Sequence, residues 1–244
     1  MSVLTPDSRE APTGAPRDRA PANSQPVTSS LARTRLSAAE RRVQLIKIAQ
    51  PLFAERGYHH ISMEDVAAAA QVTKPVLYKH FPSKMDLYLA LLDDRGGALI
   101  DTVTRALDIA TSTAGAPTDL GQRIVHTVIN AYVDFVHSCG VAAMLLFDSD
   151  VTRDEQMRAR VEAPNAHVAH LVAQTLMSLT SLPDSAALEV ARASVAMAKH
   201  AAADTLDPDP LDILTPAQRV ELIAQFTWRG VGGVLKQHGA GELP

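Results

Sequence analysis

Three observations predict an all-α fold of about nine helices. Apolar residues recur at the i, i+3, i+4, i+7 spacing of a helix in one segment after another, and alternating runs typical of strands are few. Capping residues precede several of these segments, and glycine or proline follows them. The composition is 46% hydrophobic but only 4% aromatic, and it is rich in Ala, Leu and Val. A chain of 244 residues is long enough to bury a sizeable core.

The chain is expected to have three parts. Residues 1–36 carry five prolines among Ala, Ser and Thr without hydrophobic periodicity, which is typical of a disordered arm. Residues 37–82 should form a three-helix domain, and residues 83–238 a larger helical domain. The arm ends with Arg33 and Arg35. Either the arm only confers solubility, or these two arginines contact a phosphate or a minor groove.

The first helix is predicted at residues 37–56. Ser37 and Glu40 have the spacing of a capping box, and Gly57 provides a stop. Pro51 in the middle of the helix predicts a kink or a locally lost hydrogen bond. Its buried stripe is expected to consist of Leu45, Ile46, Ala49, Leu52 and Phe53.

Residues 61–87 predict two short helices joined by a tight turn. Ser62 occupies an N-cap position, and Asp65 lies in the first turn that follows. The turn is expected at residues 71–73, after which Thr73 and Pro75 start a third helix. The apolar face of the second helix comprises Met63, Val66, Ala67 and Ala70.

The third helix has two unlike faces. Leu77 and Phe81, four residues apart, can dock on the second helix, which leaves Pro75, Val76 and Lys79 on the opposite side. A short helix that buries one edge and presents small, basic and hydroxyl-bearing groups on the other suits the major groove of DNA. The sequence therefore predicts a helix-turn-helix.

Six further helices are expected. Ser83 and Asp86 cap the fourth, in which Gly96-Gly97 predicts either a bend or a hinge that transmits movement from the distal domain. The later helices are predicted at residues 119–138, 140–147, 153–180, 184–204 and 216–236. The eighth helix carries a stripe of small residues, namely Ala187, Ala191, Ser194, Ala198 and Ala201.

The last helix is apolar on two sides. One face comprises Val220, Ile223, Ala224, Thr227, Val231 and Val234. The other comprises Leu222, Phe226, Gly230 and Gly233. A helix with two apolar faces needs two partners, and one of them can be a second copy of the chain.

Charge and cysteine content indicate a cytoplasmic, nucleoid-associated protein. The net charge is -4, but residues 1–95 hold 13 basic against 10 acidic residues, and residues 96–244 hold 10 against 17. Positive charge is thus concentrated at the helix-turn-helix. The single cysteine, Cys139, excludes a disulfide framework and fits a reducing compartment. No apolar run reaches the roughly 18 residues of a membrane span, and the N-terminus lacks an apolar signal core.

The sequence offers no motif of an enzyme or of a cofactor site. A nucleophile elbow, a P-loop and a glycine-rich dinucleotide turn are all missing. His167 and His170 have helical spacing but no accompanying carboxylate or cysteine pattern, so no metal site is expected. A polar arc on the fifth helix is either a solvated stripe or part of a ligand cavity, and it comprises His126, Asn130, Asp134 and His137 with Arg123.

The stretch GYHHISMEDVAAAAQVTKPVLYKHFPSKMDLYLALL resembles the DNA-binding domain of TetR-type transcriptional regulators, over roughly residues 40–95. The resemblance implies a homodimer joined through the last two helices, a helical ligand domain and a pseudo-palindromic double-stranded DNA operator. Carried onto this chain, it implies base and nearby phosphate contacts from residues 73–76, and backbone contacts from residues 78–80 and Lys84. The expected DNA-binding set is Arg35, Arg41, Ser62, Thr73, Lys74, Pro75, Val76, Tyr78, Lys79, His80 and Lys84.

LLFDSDVT at residues 145–152 and FTWRGVGGV at residues 226–234 are similar to actinobacterial regulators of fatty-acid synthesis that sense long-chain acyl-CoA. This similarity implies control of lipid metabolism by a lipophilic effector, an acyl-CoA or a fatty acid, that releases or modulates the protein on its operator. The expected effector site comprises Leu107, Phe135, Met144, Leu145, Phe147 and Leu171.

Other functions remain open at this point. One is a repressor of an efflux or catabolic operon that responds to a different hydrophobic molecule. Another is a DNA-binding module without a ligand, and a third is a helical lipid carrier. Core packing is the competing explanation for the apolar side chains assigned to the effector site.

Overall fold

The described residues form nine α-helices and one 3-10 turn. The computed structural model describes residues 36–113, 117–147, 154–179, 182–206 and 213–237. The helices are α1 (Ala38–His60), α2 (Met63–Ala69), α3 (Lys74–His80), α4 (Lys84–Ser112), α5 (Pro117–Cys139), α6 (Met144–Phe147), α7 (Glu155–Leu179), α8 (Asp184–Ala203) and α9 (Pro216–Gln237). The 3-10 turn Gly140–Ala143 joins α5 to α6. No described residue lies in a strand. The all-α prediction is confirmed, whereas the predicted arm lies almost wholly outside the described residues.

The caps predicted for α1, α2 and α4 are observed. Ser37 and Glu40 form the capping box of α1, and Ser62 and Asp65 form that of α2. Ser83 accepts a hydrogen bond from the backbone N–H of Asp86 at the start of α4. Thr73 occupies the N-cap of α3, but its side chain makes no capping hydrogen bond. The cap predicted for α3 is therefore wrong in this detail.

Gly57 ends the regular part of α1, as predicted. Its φ of 76° and ψ of 161° are non-helical, and one further turn follows as far as His60. A residue with a side chain rarely adopts this positive φ. Pro51 is exposed, and the helix continues through it with non-helical dihedral angles recorded only at Gly57. The hydrogen bond that proline cannot donate is thus lost on the solvent side, without a break.

Helix α4 is helical without interruption from Lys84 to Ser112, so the Gly96-Gly97 pair does not break it. The bend and the hinge stay predictions, and the structure gives Gly96 a packing role. A Cβ at this position would lie 2.5 Å from Cγ of Pro164 in α7, whereas a Cβ at Gly97 would meet nothing within 4 Å. Gly96 therefore permits α4 and α7 to approach closely, and Gly97 does not contribute to that contact.

The core runs through both predicted domains. Helix α4 contacts α1 at one end and α5, α6 and α7 along the rest of its length. The small residues predicted along α8 are all buried, so α8 can pack against α5, α7 and α9. The division at residue 82 stays a prediction, because α4 belongs to the packing of both parts. The largest fully buried side chains are Tyr88, Tyr132, Phe53, Phe81 and Phe135.

One described segment, Leu120–Phe147, is long and apolar enough to cross a membrane by length and composition. Half of its most apolar window is buried inside the fold. Helix α5, which makes up most of this segment, packs against α4, α8 and α9, so core packing accounts for its apolar character. No apolar run of this length is predicted from the sequence, because polar residues interrupt the apolar ones in this segment.

Candidate functional site

Helix α3 presents one face to solvent and anchors the other. Leu77 and the following Phe81 are fully buried. Val76 retains 39% of its accessible surface and Tyr78 retains 42%. The remaining exposed residues of this face are Thr73, Lys74, Pro75 and Lys79, and His80 is half-buried. The structure therefore gathers seven of the predicted DNA contacts, Thr73–Val76 and Tyr78–His80, on one small helix.

The turn between α2 and α3 is held by backbone hydrogen bonds. The N–H of Gln71 donates to the carbonyl of Ala68 at 3.1 Å, and the N–H of Val72 donates to that of Ala67 at 3.0 Å. Gln71 has a φ of 53°, in the left-handed region that few residues with a side chain adopt. This residue lets the chain reverse within three residues, so α3 leaves α2 at a defined angle.

An ion pair links the start of α3 to α2. The ammonium of Lys74 contacts a carboxylate oxygen of Glu64, and both side chains are more than half exposed. Hydrogen bonding to Lys74 lowers the pKa of Glu64, and the same bond raises the pKa of Lys74. Lys74 is thus held by a partner within the chain. Glu64 was not among the predicted site residues, since nothing in the sequence pairs it with Lys74.

The hydroxyl of Ser62 is used in the cap of α2. It donates to a carboxylate oxygen of Asp65 at 2.6 Å and accepts from the N–H of Asp65 at 3.1 Å. The N–H of Ser62 donates to the same carboxylate at 2.8 Å. These bonds to Ser62 lower the pKa of Asp65. The predicted contact of Ser62 with DNA stays a prediction, and its observed role is to start α2.

Three carboxylates, in the caps of α1 and α2 and in the ion pair with Lys74, predict a fold that loses stability in acid. The pKa values of Asp65, Glu40 and Glu64 are lowered from ordinary values of 3.8, 4.5 and 4.5. A depressed folded-state pKa contributes stability above the unfolded pKa, and that stability is lost as the pH falls through the folded value. We expect the thermal midpoint to fall as the pH drops below about 4.5. In Asp65→Asn, the fall measured by circular dichroism should be shallower. An equally steep fall would contradict the assignment of Asp65.

Lys84 at the start of α4 is tied to the chain itself. Its ammonium donates to the carbonyl oxygens of Tyr58 and Ile61 at 2.8 and 2.9 Å. It also lies 4.2 Å from the ring centroid of Tyr58. The sequence resemblance predicts a phosphate contact here, and that stays a prediction. The observed geometry gives Lys84 an additional role, which is to join α4 to the end of α1 and to Ile61, which follows it.

Two of the predicted basic contacts lie near the start of the first helix, and one of them, Arg35 in the arm, lies outside the described residues. Arg41 is half-buried and donates to the side-chain oxygen of Gln44 at 2.7 Å. Its neighbour Arg42 was not predicted as a site residue. Its guanidinium donates to the carbonyl of His80 at 2.8 Å. Sequence reasoning could not find this bond, because 38 residues separate the two partners.

Three consecutive residues of α4 connect α1 to the distal helices. Asp94 accepts a hydrogen bond at 2.9 Å from the amide of Gln50 in α1. Asp93 pairs with Arg160 of α7. Arg95 donates to the sulfur of Cys139 at 3.1 Å, at the end of α5. A shift of α4 relative to α5 or α7 would therefore also move Asp94, which accepts the hydrogen bond from Gln50 of α1.

The predicted effector residues lie in different surroundings within the described part of the chain. Phe135, Leu145 and Leu107 are buried in the core, whereas Met144, Phe147 and Leu171 are half-buried. Leu107 and Leu171 line a cleft of about 270 Å³ between α4 and α7, together with Thr104, Asp108, Gln174, Thr175 and Ser178. Phe147 instead packs on Tyr132 and Phe135, with ring centroids 6.0 and 6.1 Å apart.

A second cleft, also of about 270 Å³, opens between α7 and α8 beside α6. Its apolar floor is formed by Leu146, Val161, Ala166, Ala169, Val195 and Ala196. Arg192, Lys199, Glu162 and Asn165 supply its polar groups. Lys199 lies 5.7 Å from the ring centroid of Phe147. An apolar floor with cationic groups suits a molecule that has an acyl chain and an anionic group.

Asn165 in this second cleft is fixed by a buried tyrosine. The hydroxyl of Tyr132 donates to the side-chain oxygen of Asn165 at 2.9 Å. Burial raises the pKa of Tyr132, so this phenol stays protonated and keeps its role as the donor. The amide nitrogen of Asn165 is then the group left to donate outward. Nothing in the sequence pairs these two residues, which are 33 positions apart.

The polar arc of α5 is mostly solvent-exposed. Asn130, Asp134 and His137 are exposed, and Nδ1 of His126 lies 3.6 Å from a carboxylate oxygen of Glu221 in α9. These positions favour the solvated stripe over a cavity wall. Within the described ranges, no three side chains of His, Cys, Asp or Glu come together as metal ligands.

The outer face of α8 and α9 is apolar and uncovered in the single chain. Leu222 retains 55% of its accessible surface and Phe226 retains 68%. They line an almost wholly apolar cleft of about 550 Å³ with Ala196, Met197, His200 and Ile223. The opposite face of α9, with Ala224, Thr227 and Val231, is buried. The prediction of two apolar faces on the last helix is confirmed.

Comparison with known proteins agrees with this arrangement. A family model described as "Bacterial regulatory proteins, tetR family" matches residues 45–91. The chain is similar to the HTH-type transcriptional activator FasR of Mycolicibacterium smegmatis, with 33% identity over 201 residues that cover 82% of this chain and 87% of FasR. A tetR-family transcriptional regulator from Streptomyces coelicolor has 25% identity and a TM-score of 0.59, over 83% of this chain and 85% of that one.

The fold is also that of AibR, solved in complex with isovaleryl coenzyme A and operator DNA. The TM-score is 0.57 at 19% identity, and the alignment covers 77% of this chain and 97% of AibR.

Proposed function

We propose a function from the premise that this chain belongs to the TetR family of bacterial regulatory proteins, which are transcriptional regulators rather than enzymes. The protein acts as a homodimer that reads a pseudo-palindromic DNA operator in the cytoplasm. A lipophilic effector with an anionic group, a long-chain acyl-CoA or a fatty acid, binds its distal helices and controls lipid metabolism. The observation that carries the DNA-binding part is the exposed face of α3, with Val76 and Tyr78 uncovered beside Lys79.

The exposed face of α3 divides into two kinds of contact. Thr73 and Val76 lie at its N-terminal end, where a recognition helix reaches base edges in the major groove. Tyr78, Lys79 and His80 follow toward its C-terminal end and contact the phosphate backbone. Base contacts determine which operator is bound, and phosphate contacts determine register and affinity.

Replacing Lys79 by Ala tests the backbone contact. Because one phosphate contact is lost, binding should weaken for all DNA sequences, and the slope of log K against log salt should flatten by about one unit. Fluorescence anisotropy at several salt concentrations measures both quantities. Thr73→Ala is the matched control. It should change which duplexes are preferred and leave the slope of log K against log salt unchanged. An unaltered slope in Lys79→Ala would contradict its phosphate role.

The effector proposal is supported by the cleft between α7 and α8. Its apolar floor fits an acyl chain, and Arg192 and Lys199 fit a carboxylate or a phosphate. AibR, which has the same fold, binds an acyl coenzyme A. Effector binding here would change how α7 packs on α4, and α4 contacts α1. The effector must prefer one of the two arrangements energetically, because equal affinity for both would shift nothing.

A specific observation favours a second candidate effector. The cleft between α4 and α7 is lined by hydroxyl and amide groups, and Asp108 is its one charged residue. Such a lining suits a neutral or cationic hydrophobic molecule with hydroxyl groups. A protein that binds such a molecule would act as a repressor of an efflux or catabolic operon.

One pair of experiments tests the proposal. The full-length protein is incubated with a random pool of duplexes, and enrichment of a sequence with two related half-sites is expected. Oleoyl-CoA, oleate and free coenzyme A are then titrated against the enriched duplex. Oleoyl-CoA or oleate should change the affinity, and free coenzyme A should not. Failure to enrich any duplex would contradict the DNA-binding part. If neither oleoyl-CoA nor oleate changed the affinity, the effector part would be contradicted.

A further inference from the structure

Helix α3 is too short to fix its own direction. It has seven residues, and isolated helices of fewer than about 12 residues are marginal in water. Leu77 is its one buried residue. The angle at which its exposed face points therefore depends on contacts at its two ends. The N-terminal end has the Lys74–Glu64 ion pair with α2.

The C-terminal end of α3 is held by Arg42 of α1. Phe81, which ends the helix, is in an extended conformation, and its N–H donates to the carbonyl of Leu77 at 3.0 Å. The carbonyl of His80, one of the last carbonyls of the helix, accepts the guanidinium of Arg42 at 2.8 Å. A positive charge at this end also interacts favourably with the helix dipole.

A second contact fixes the orientation of the same guanidinium. Its central carbon lies 4.2 Å from the ring centroid of Phe81, and this ring is fully buried. A planar guanidinium that is stacked on a ring and hydrogen-bonded at once has little freedom left. Arg42 thus joins the start of α1 to both the last carbonyl of α3 and the buried residue that follows it. The adjacent Arg41 donates within its own helix instead.

We infer that Arg42 is a positioning residue for the recognition helix: it sets the direction of α3 against α1 and so brings Thr73 and Val76 to the base edges. This inference rests on the proposed DNA-binding function. Two other roles for Arg42 make different predictions. A direct phosphate contact would strengthen binding to all DNA sequences equally. A contribution to folding alone would change stability without changing the affinity of folded protein.

The test compares Arg42→Ala with Lys47→Ala, which removes another exposed cation of α1. The probes are the duplex that the wild-type protein enriches from a random pool and a scrambled duplex of the same length. Arg42→Ala should bind the enriched duplex about tenfold more weakly, the loss expected for a displaced base contact. Its affinity for the scrambled duplex and its salt slope should equal those of the wild type. Lys47→Ala should match the wild type on the enriched duplex.

Arg42→Lys covers the case in which Arg42→Ala fails to fold. It keeps the charge but loses the planar stacking, so an intermediate loss of about threefold on the enriched duplex is expected at an unchanged slope. Equal weakening of both probes with a slope smaller by about one unit would overturn the inference in favour of a phosphate contact. A lower melting temperature with unchanged affinity of the active fraction would overturn it in favour of a folding role. Failure of the wild-type enrichment would count against the proposed function instead.

Discussion

Replacing Phe226 by Asp is expected to yield a monomer that no longer binds the operator. Phe226 and Leu222 are largely exposed at the centre of the apolar surface of α8 and α9, which we propose as the dimer interface. A carboxylate there would be buried without a partner upon association, and this costs several kcal/mol. We expect the dimer dissociation constant to rise by at least about 100-fold. Sedimentation equilibrium measures this constant, and anisotropy measures operator binding.

Ile109→Asp provides a matched control for this experiment. Ile109 of α4 retains the same 68% of its accessible surface as Phe226 but does not belong to the α8–α9 surface. The control variant should remain a dimer and bind the operator as the wild type does. If Phe226→Asp stays dimeric, or if Ile109→Asp dissociates equally, the proposed interface is wrong.

Substitution of the two neighbouring glycines of α4 is expected to give effects of opposite sign. Gly97→Ala should raise the free energy of unfolding by up to about 1 kcal/mol, because alanine is the better helix former and meets no neighbour. Gly96→Ala should lower it by about 1–3 kcal/mol, because its Cβ would overlap Cγ of Pro164. Pro164 is buried, and its ring cannot rotate away, so α7 must move.

Urea denaturation measures both glycine variants, and hydrogen exchange locates the change. Faster exchange confined to α4 and α7 is expected in Gly96→Ala. This variant should also respond differently to the effector, since the cleft between α7 and α8 would change shape. A gain of stability in Gly96→Ala would contradict the close approach of the two helices.

Local sequence patterns predicted the helix ends and the buried faces well. The boxes at Ser37 and Ser62 and the two faces of α9 depend on residues three to four apart, so their spacing alone reveals them. The packing role of Gly96 could not be predicted, for the opposite reason. A glycine pair weakens a helix in isolation, and only the position of Pro164, 68 residues later, shows what Gly96 is for.

Contacts between distant residues account for what the sequence could not predict in the site. Arg42 and His80, Lys74 and Glu64, and Tyr132 and Asn165 are pairs whose partners follow no spacing rule. The apolar residues assigned to one effector site divide between the core and a cleft, because an apolar side chain fits both environments. Burial and cavity shape depend on how the helices pack, and periodicity does not specify that.

The construction of α3 also bears on how regulators of this kind diversify. Of its seven residues only Leu77 is buried, and the neighbouring Phe81 completes the anchor. The residues that would face DNA thus contribute almost nothing to the core. After gene duplication, a copy could change Thr73, Val76 or Tyr78 and acquire a new target promoter with little loss of stability. Within fewer than two helical turns, the residues that would determine DNA specificity are thus different from the residue that anchors the fold.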